Sequence, residues 1–267
     1  MPQPVSTLLP VPVNLAEGRI SLFLDFDGTL VDIAERHDAV IVPPSLHALL
    51  SALARRLEGR LAVVSGRPAD EIAAYLHAED SVPPFAIAGS HGLELRWTDG
   101  RSEAPASPGA IALAVDAFRR LADAHPGIVV EEKPFGVALH YRQAPEIGPV
   151  AIALAERVAK EQGFSIQHGK MVCELRVAGG NKGDAVRRFL AEPPMAGSRP
   201  LFLGDDLTDE AGFTAAEALG GAGVLVGSGC ERQSAARYRL ADVAAVHDWL
   251  GGIVGASLTH SSQESRA

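Results

Sequence analysis

The sequence predicts an α/β protein: a doubly wound parallel sheet with helices on both faces, interrupted by a smaller α+β lobe. Three observations carry this. Short β-rich apolar runs alternate with amphipathic helical stretches in the first and last thirds of the chain. Those runs are apolar at nearly every position, as strands buried on both faces must be. Between residues 108 and 177 the alternation gives way to an αββαββ order, which predicts a mostly antiparallel sheet with helices on one face.

In chain order, the first strand lies in 20-ISLFLDFDGTLVD-32. Helical apolar spacing follows in 45-SLHALLSALARRLEG-59, and 60-RLAVVSGRP-68 reads as a short strand closed by Gly and Pro. A helix at 69-ADEIAAYLH-77 and a strand at 85-FAIAGSHG-92 complete this half. The lobe reads as helix 109–124, strands 128–133 and 135–142, helix 146–162, and strands 164–168 and 170–177. The core pattern resumes with 181-NKGDAVRRFLAE-192, 200-PLFLGDD-206, 209-DEAGFTAAEALG-220 and 223-GVLVG-227. Residues 1–14 are expected as a flexible leader, 15–107 and 178–254 as the core, 108–177 as the inserted lobe and 255–267 as a flexible tail.

A chain of 267 residues is long enough for a substantial core. Its formal charge of −9 argues against a nucleic-acid surface, which needs concentrated Lys and Arg. No apolar run has the length of a membrane span, and the proline-broken start lacks the basic region of a signal peptide. Cys173 and Cys230 form no metal or redox spacing and suit a reduced, cytoplasmic protein. The expectation is a monomer acting on a small molecule, with no nucleic-acid or membrane partner.

In parallel α/β sheets, ligands bind beyond the carboxyl ends of the strands. Those ends carry Asp25 and Asp27, then Ser65-Gly66-Arg67, then Ser90-His91-Gly92, then Asp205-Asp206 with Asp209 one turn on; Lys182 stands before a helix. Two carboxylates at roughly 5 Å repel by on the order of 3 kcal/mol at an effective dielectric of about 20, so a cation, a shared proton or strong hydrogen-bond donors are expected near them. Carboxylates from 25–27 and 204-GDDLTDE-210 suit Mg²⁺, which takes oxygen ligands. Lys182 and the Ser65 hydroxyl add phosphate donors. Metal, lysine and hydroxyl together describe a phosphoryl site, with Asp25 as nucleophile and Asp27 as acid/base. No Walker loop or dinucleotide fingerprint is present.

Bland readings stay open beside these. Ser65 and Asn181 suit helix N-caps, and Glu210 suits an acidic first turn. Only one of Asp205 and Asp206 readily points inward, and Arg67 also suits a structural ion pair. In the lobe, Cys173, Leu175 and Val177 alternate with Glu174 and Arg176, and His140 and Arg142 share a face opposite Val137, Leu139 and Tyr141. That polar face suits either a ligand or solvent, and His91 and His140 either a structural or a substrate role.

The motifs 25-DFDGT-29, Ser65, Lys182 and 205-DDLTD-209 resemble those of haloacid-dehalogenase-type (HAD) phosphatases. More narrowly, 65-SGRP-68, 89-GSHGLEL-95, 131-EEKPFGVALHYR-142, 169-GKMVCELR-176, 180-GNKG-183 and 204-GDDLTDE-210 are similar to those of trehalose-6-phosphate phosphatases, from about Ile20 to Gly227. The resemblance implies a Rossmann-like HAD core with an inserted cap closing over the sugar. It implies hydrolysis of trehalose 6-phosphate in trehalose biosynthesis through an aspartyl phosphate. Mg²⁺ would be held by Asp25, the Asp27 carbonyl and Asp205, with Asp209 acting through water or by orienting the site. Ser65 and Lys182 would hold the phosphate. Glu131, Lys133, Lys170, Glu174, Arg142 and Arg176 would surround the disaccharide, and Arg67 and His91 would lie close by on the substrate side. Sucrose 6-phosphate, mannosyl-3-phosphoglycerate, a phosphomutase reaction and a non-catalytic sugar-phosphate-binding regulator are the alternatives.

Overall fold

The run 20–24 forms β1 (Ile20–Leu24), buried at every residue. The computed structural model describes residues 9–13, 15–34, 39–76, 84–105, 109–169, 171–227 and 233–255. α1 (Pro44–Arg56) starts at a proline, which suits a first helical turn, and buries Leu46, Leu50, Leu53 and Ala54 on one face. β2 (Leu61–Val64) and α2 (Ala69–Tyr75) follow, then β3 (Ala86–Gly89). The expected strand 85–92 stops early. Ser90 and His91 take positive φ of 49° and 57°, and the chain folds back into β4 (Glu94–Arg96) and β5 (Ser102–Glu103).

Next come α3 (Gly109–Ala124), β6 (Val129–Lys133), β7 (Gly136–His140), α4 (Gly148–Gln162), β8 (Phe164–Gly169) and β9 (Val172–Val177). The chain then returns through α5 (Lys182–Leu190), β10 (Arg199–Gly204), α6 (Glu210–Ala218), β11 (Ala222–Val226), β12 (Tyr238–Leu240) and α7 (Val243–Gly255).

Two compact units result, Met1–Glu103 with Gly180–Ala267, and Ala104–Gly179. In the larger, the sheet order is β12-β11-β10-β1-β2-β3-β4-β5, parallel from β12 to β3 and antiparallel at the β4–β5 edge. The predicted doubly wound α/β class is therefore the observed one. Alternate strand residues feed two cores. Leu22, Leu24, Val63 and Leu203 pack with α1, α2 and α7, whereas Phe23, Val64, Phe202 and Leu225 pack with α5 and α6. Each such side chain, fully buried, contributes about 1.5–3 kcal/mol. Among the described residues, no helix is long and apolar enough to cross a membrane.

Of the expected leader, residues 9–13 are described. There the Pro10 carbonyl accepts from Arg239 N–H at 2.9 Å and the Pro12 carbonyl from Trp249 Nε1 at 2.9 Å, which ties this stretch to β12 and α7. The rest of the leader, nearly all of the expected tail, Lys170 and Cys230 lie outside the described residues.

The smaller unit is an antiparallel sheet, β6-β7-β9-β8. Val137, Leu139, Cys173 and Leu175 pack on α3 and α4, which leaves the alternate residues on the other face.

Candidate active site

β1 and β10 pair in register with Leu24 beside Leu203, so Asp25 and Asp205 emerge from neighbouring strand ends. Two aromatic contacts fix what surrounds them. Phe189 of α5 stacks on Phe23 of β1 at 6.5 Å between centroids, and Phe213 of α6 meets Phe202 of β10 edge-on at 5.7 Å. These anchor the helices whose amino ends carry Lys182 and Asp209. At Gly183 a Cβ would lie 2.3 Å from the Ala211 carbonyl, so only glycine lets α5 and α6 approach this closely.

Lys182 is consequently buried, with its Nζ 2.7 Å from Asp25 Oδ1 and 2.6 Å from Asp209 Oδ1. The other Asp209 oxygen, Oδ2, accepts from the Asp205 and Asp206 backbone N–H groups at 2.9 and 3.0 Å. Asp209 thus spans the loop and the lysine and is wholly buried. Asp25, Asp205 and Asp209 each offer a carboxylate oxygen within 4.8 Å of the others. At Gly28, with φ of +78°, a Cβ would meet Asp205 Oδ2 at 2.3 Å. The glycine of DFDGT therefore makes room for the second acidic strand end.

Charge is unbalanced here. Burial pushes Asp25 well above the usual carboxylate range; Lys182 opposes this and Asp209 adds to it. Asp205 is pushed up to about 6, by burial first and then by the charges of Asp209 and Asp206. Asp209 is raised by burial against the pull of Lys182. Burial disfavours the Lys182 ammonium, but two carboxylates outweigh that and raise its pKa. Three carboxylates share one ammonium, and an all-oxygen set with spare negative charge fits Mg²⁺.

Asp27 does not join this group. Its carboxylate is gripped by Arg67, Nε to Oδ2 at 2.6 Å and Nη2 to Oδ1 at 2.9 Å. The guanidinium offsets the Asp27 charge and supplies the strong donors expected beside the Asp25–Asp27 pair. Nor does Arg67 stand open to a substrate, being 6% exposed. Of the adjacent aspartates, Asp205 joins the cluster. Asp206 Oδ1 instead accepts from the Thr208 N–H and hydroxyl, both at 2.7 Å. Its carboxylate stays below the ordinary range: burial opposes this, but the Thr208 bonds and the Lys182 charge prevail.

Ser65, buried after β2, accepts from Arg67 N–H on its Oγ at 3.1 Å. Asn181 caps α5 by accepting from Asp184 N–H at 3.0 Å. His91 lies against Gly66, where a Cβ would be 2.7 Å from the ring. Ser65, Arg67, His91, Lys182 and the aspartates all belong to the larger unit.

On the open face of the smaller sheet, Lys133 Nζ donates to Glu174 Oε2 at 2.8 Å and stands 4.0 Å from Glu131 Oε1. His140 Nε2 lies 2.9 Å from Glu131 Oε2. Register places Ala138 between Glu131 and Glu174, and Gly136 beside Arg176, so small residues floor a charged rim. Arg142 departs from the expectation that it shares this face with His140. β7 ends at His140, and Arg142 is exposed in the following turn.

The trehalose-phosphatase family model matches residues 23–244. The chain belongs to the trehalose-phosphatase family. It is 44% identical over 209 residues to a probable trehalose-phosphate phosphatase of Sinorhizobium fredii, covering 78% of this chain and 77% of that one. It is 39% identical over 231 residues to the trehalose-6-phosphate phosphatase of Escherichia coli, covering 85% and 84%. A solved structure titled as a trehalose-6-phosphate phosphatase related protein superposes with a TM-score of 0.69 at 27% identity, covering 88% of this chain and 97% of that one.

In this trehalose-phosphatase the partners of Arg67 also include Glu71, Phe26 and Tyr75, which residue types alone do not mark. The i,i+4 spacing of Arg67 and Glu71 was the available signal. For His140, the alternation with Val137 and Leu139 is the signal that places it beside the charged face.

Proposed function

We propose that this trehalose-phosphatase hydrolyses trehalose 6-phosphate to trehalose and phosphate, with Mg²⁺, through an aspartyl phosphate on Asp25. The observation that carries the reading is the enclosed Asp25, which sits at a strand end with one oxygen on Lys182 and two more carboxylates close by. An Asp25 oxygen forms the bond to phosphorus as the bond from phosphorus to the sugar oxygen breaks. Asp27 gives a proton to that departing oxygen. Water then attacks phosphorus, Asp27 takes the water proton, and Asp25 is released with free phosphate. Ser65 and Lys182 hold the phosphoryl oxygens.

Asp25 and Asp205 would hold the ion, and the Asp27 carbonyl is the further ligand that the family resemblance assigns. When bound, Mg²⁺ supplies positive charge that draws in the phosphoryl group and offsets its developing charge. Asp209, with both oxygens already engaged, orients Lys182 and the 205–206 amides. Glu131, Lys133, Glu174 and Arg176 recognise sugar hydroxyls, which need donors and acceptors in a fixed pattern. A cytoplasmic monomer is part of the same reading, in keeping with the buried free thiol of Cys173.

Phosphate release from a panel of sugar phosphates, with Mg²⁺ and with excess EDTA, tests the proposal. Turnover should be greatest on trehalose 6-phosphate and vanish under chelation. Greater turnover on sucrose 6-phosphate or mannosyl-3-phosphoglycerate would replace the substrate. Isomerised sugar phosphate would indicate a mutase. No release from any substrate would leave a binding regulator.

A further inference from the structure

Arg67 is held at every side of its guanidinium. Nε and Nη2 form the two-point fork on Asp27, and Nη1 donates to Glu71 one turn along α2. Its Cζ lies 5.4 Å from the Tyr75 ring centroid and 5.9 Å from that of Phe26, and these two rings stack on each other at 5.7 Å. The backbone is pinned as well. Arg67 N–H donates to Ser65 Oγ, and the Arg67 carbonyl accepts from Ser90 N–H at 2.8 Å. An arginine that binds substrate aims donors into open space, and this one aims them at a neighbouring carboxylate.

Asp27 is built differently. It follows β1, and its side chain is 34% exposed, so it keeps an open side. Each carboxylate oxygen has a second lone pair beyond the one used by the fork, so an aligned carboxylate can still exchange a proton on its open side. The planar fork fixes both the position and the plane of the carboxylate, which a single ammonium contact does not.

We propose that Arg67 is a positioning residue: its fork fixes the orientation in which Asp27 exchanges protons with the departing sugar oxygen and the attacking water. This rests on the acid/base role of Asp27 given above and deepens it, since Arg67 acts through Asp27 without touching the substrate. The proton balance is unchanged, because Arg67 neither gives nor takes a proton.

The test is a double-mutant cycle in kcat on trehalose 6-phosphate with Mg²⁺, using Arg67→Met, Asp27→Asn and both together. Arg67→Met should lower kcat by on the order of 10²-fold with KM little changed, since general acid–base catalysis contributes about 10²–10⁴. In the Asp27→Asn background the same change should cost less than about threefold, because groups acting as one unit are not additive. Free guanidinium should restore part of the rate to an Arg67→Ala variant but none to its Asp27→Asn double. Should Arg67→Met fail to fold, Arg67→Lys enters the cycle, and the lost second contact should again cost rate only where Asp27 is present. Losses that multiply in the double variant, or no loss on removing Arg67, overturn the inference. Near-full turnover in Asp27→Asn alone overturns the acid/base reading instead, so the two failures are told apart.

Discussion

Lys182 donates to Asp25 across 2.7 Å, and the pair is almost enclosed, with 3% of one side chain and 6% of the other exposed. The same ammonium reaches Asp209 at 2.6 Å. One cation thus balances Asp25 on one side and a loop-holding carboxylate on the other, leaving Asp205 to contribute excess negative charge.

Removing that cation should be costly to the fold. Breaking a buried pair by deleting one partner typically destabilises by about 3–5 kcal/mol. Lys182→Met should lower the unfolding free energy of the metal-free protein, read from its urea titration, by an amount in that range, with Mg²⁺ returning part of it. An unchanged midpoint would mean that the carboxylates are neutralised by other groups.

The metal-free protein should lose stability as pH rises through the weakly acid range. Asp205 titrates near 6 in the folded chain and near the ordinary carboxylate value of about 4 when unfolded. Between those values the folded state holds a proton that the unfolded state has released, so unfolding free energy falls with increasing pH. Asp25 and Asp209 are raised as well and act in the same direction. Thermal midpoints in EDTA should decline from about pH 4 to above pH 6, and saturating Mg²⁺ should flatten the decline. A midpoint that rises over this range with EDTA present would contradict the charge balance of the site.

Asp25→Asn should leave the fold intact and reduce turnover by at least about 10³-fold. The amide is isosteric but does not form the phosphoryl bond. Steady-state phosphate release and circular dichroism check the two halves of this statement. Retained turnover would move the nucleophile elsewhere.

Glu174→Ala should harm trehalose 6-phosphate far more than a small aryl phosphate, by roughly 10–100-fold in kcat/KM, as loss of a charge-assisted contact implies. Its carboxylate sits on a charged sheet face with Lys133 at 2.8 Å, and the larger unit supplies the aspartates. Equal losses on both substrates would assign Glu174 to the support of the smaller sheet.

Much of the architecture was legible because period-two and helical apolar patterns are local. Strands 128–133 and 170–177 were expected, and Val129–Lys133 and Val172–Val177 are observed. The reversal after β3 was not legible, because it depends on Ser90 and His91 adopting left-handed backbone, uncommon for any residue but glycine and only weakly favoured by histidine. The β4–β5 edge follows from that reversal. β12 and α7 carry weak signals as well: β12 is three residues long, and α7 contains glycines that weaken a helical pattern.

At the site, the chain order of DFDGT, SGRP, NKG and GDDLTDE was enough to assemble a phosphoryl-transfer inventory, since strand ends of a parallel sheet converge whatever the loops between them do. Partner choice was a different matter. That Asp27 turns to Arg67, that Asp205 faces the cluster while Asp206 turns to Thr208, and that Asp209 bridges Lys182 and two backbone amides all depend on side-chain direction. Residue types and their spacing along the chain specify which charges must meet. Which oxygen meets which donor is settled by packing between residues as far apart as 25 and 182, where one rotamer or one glycine decides the outcome.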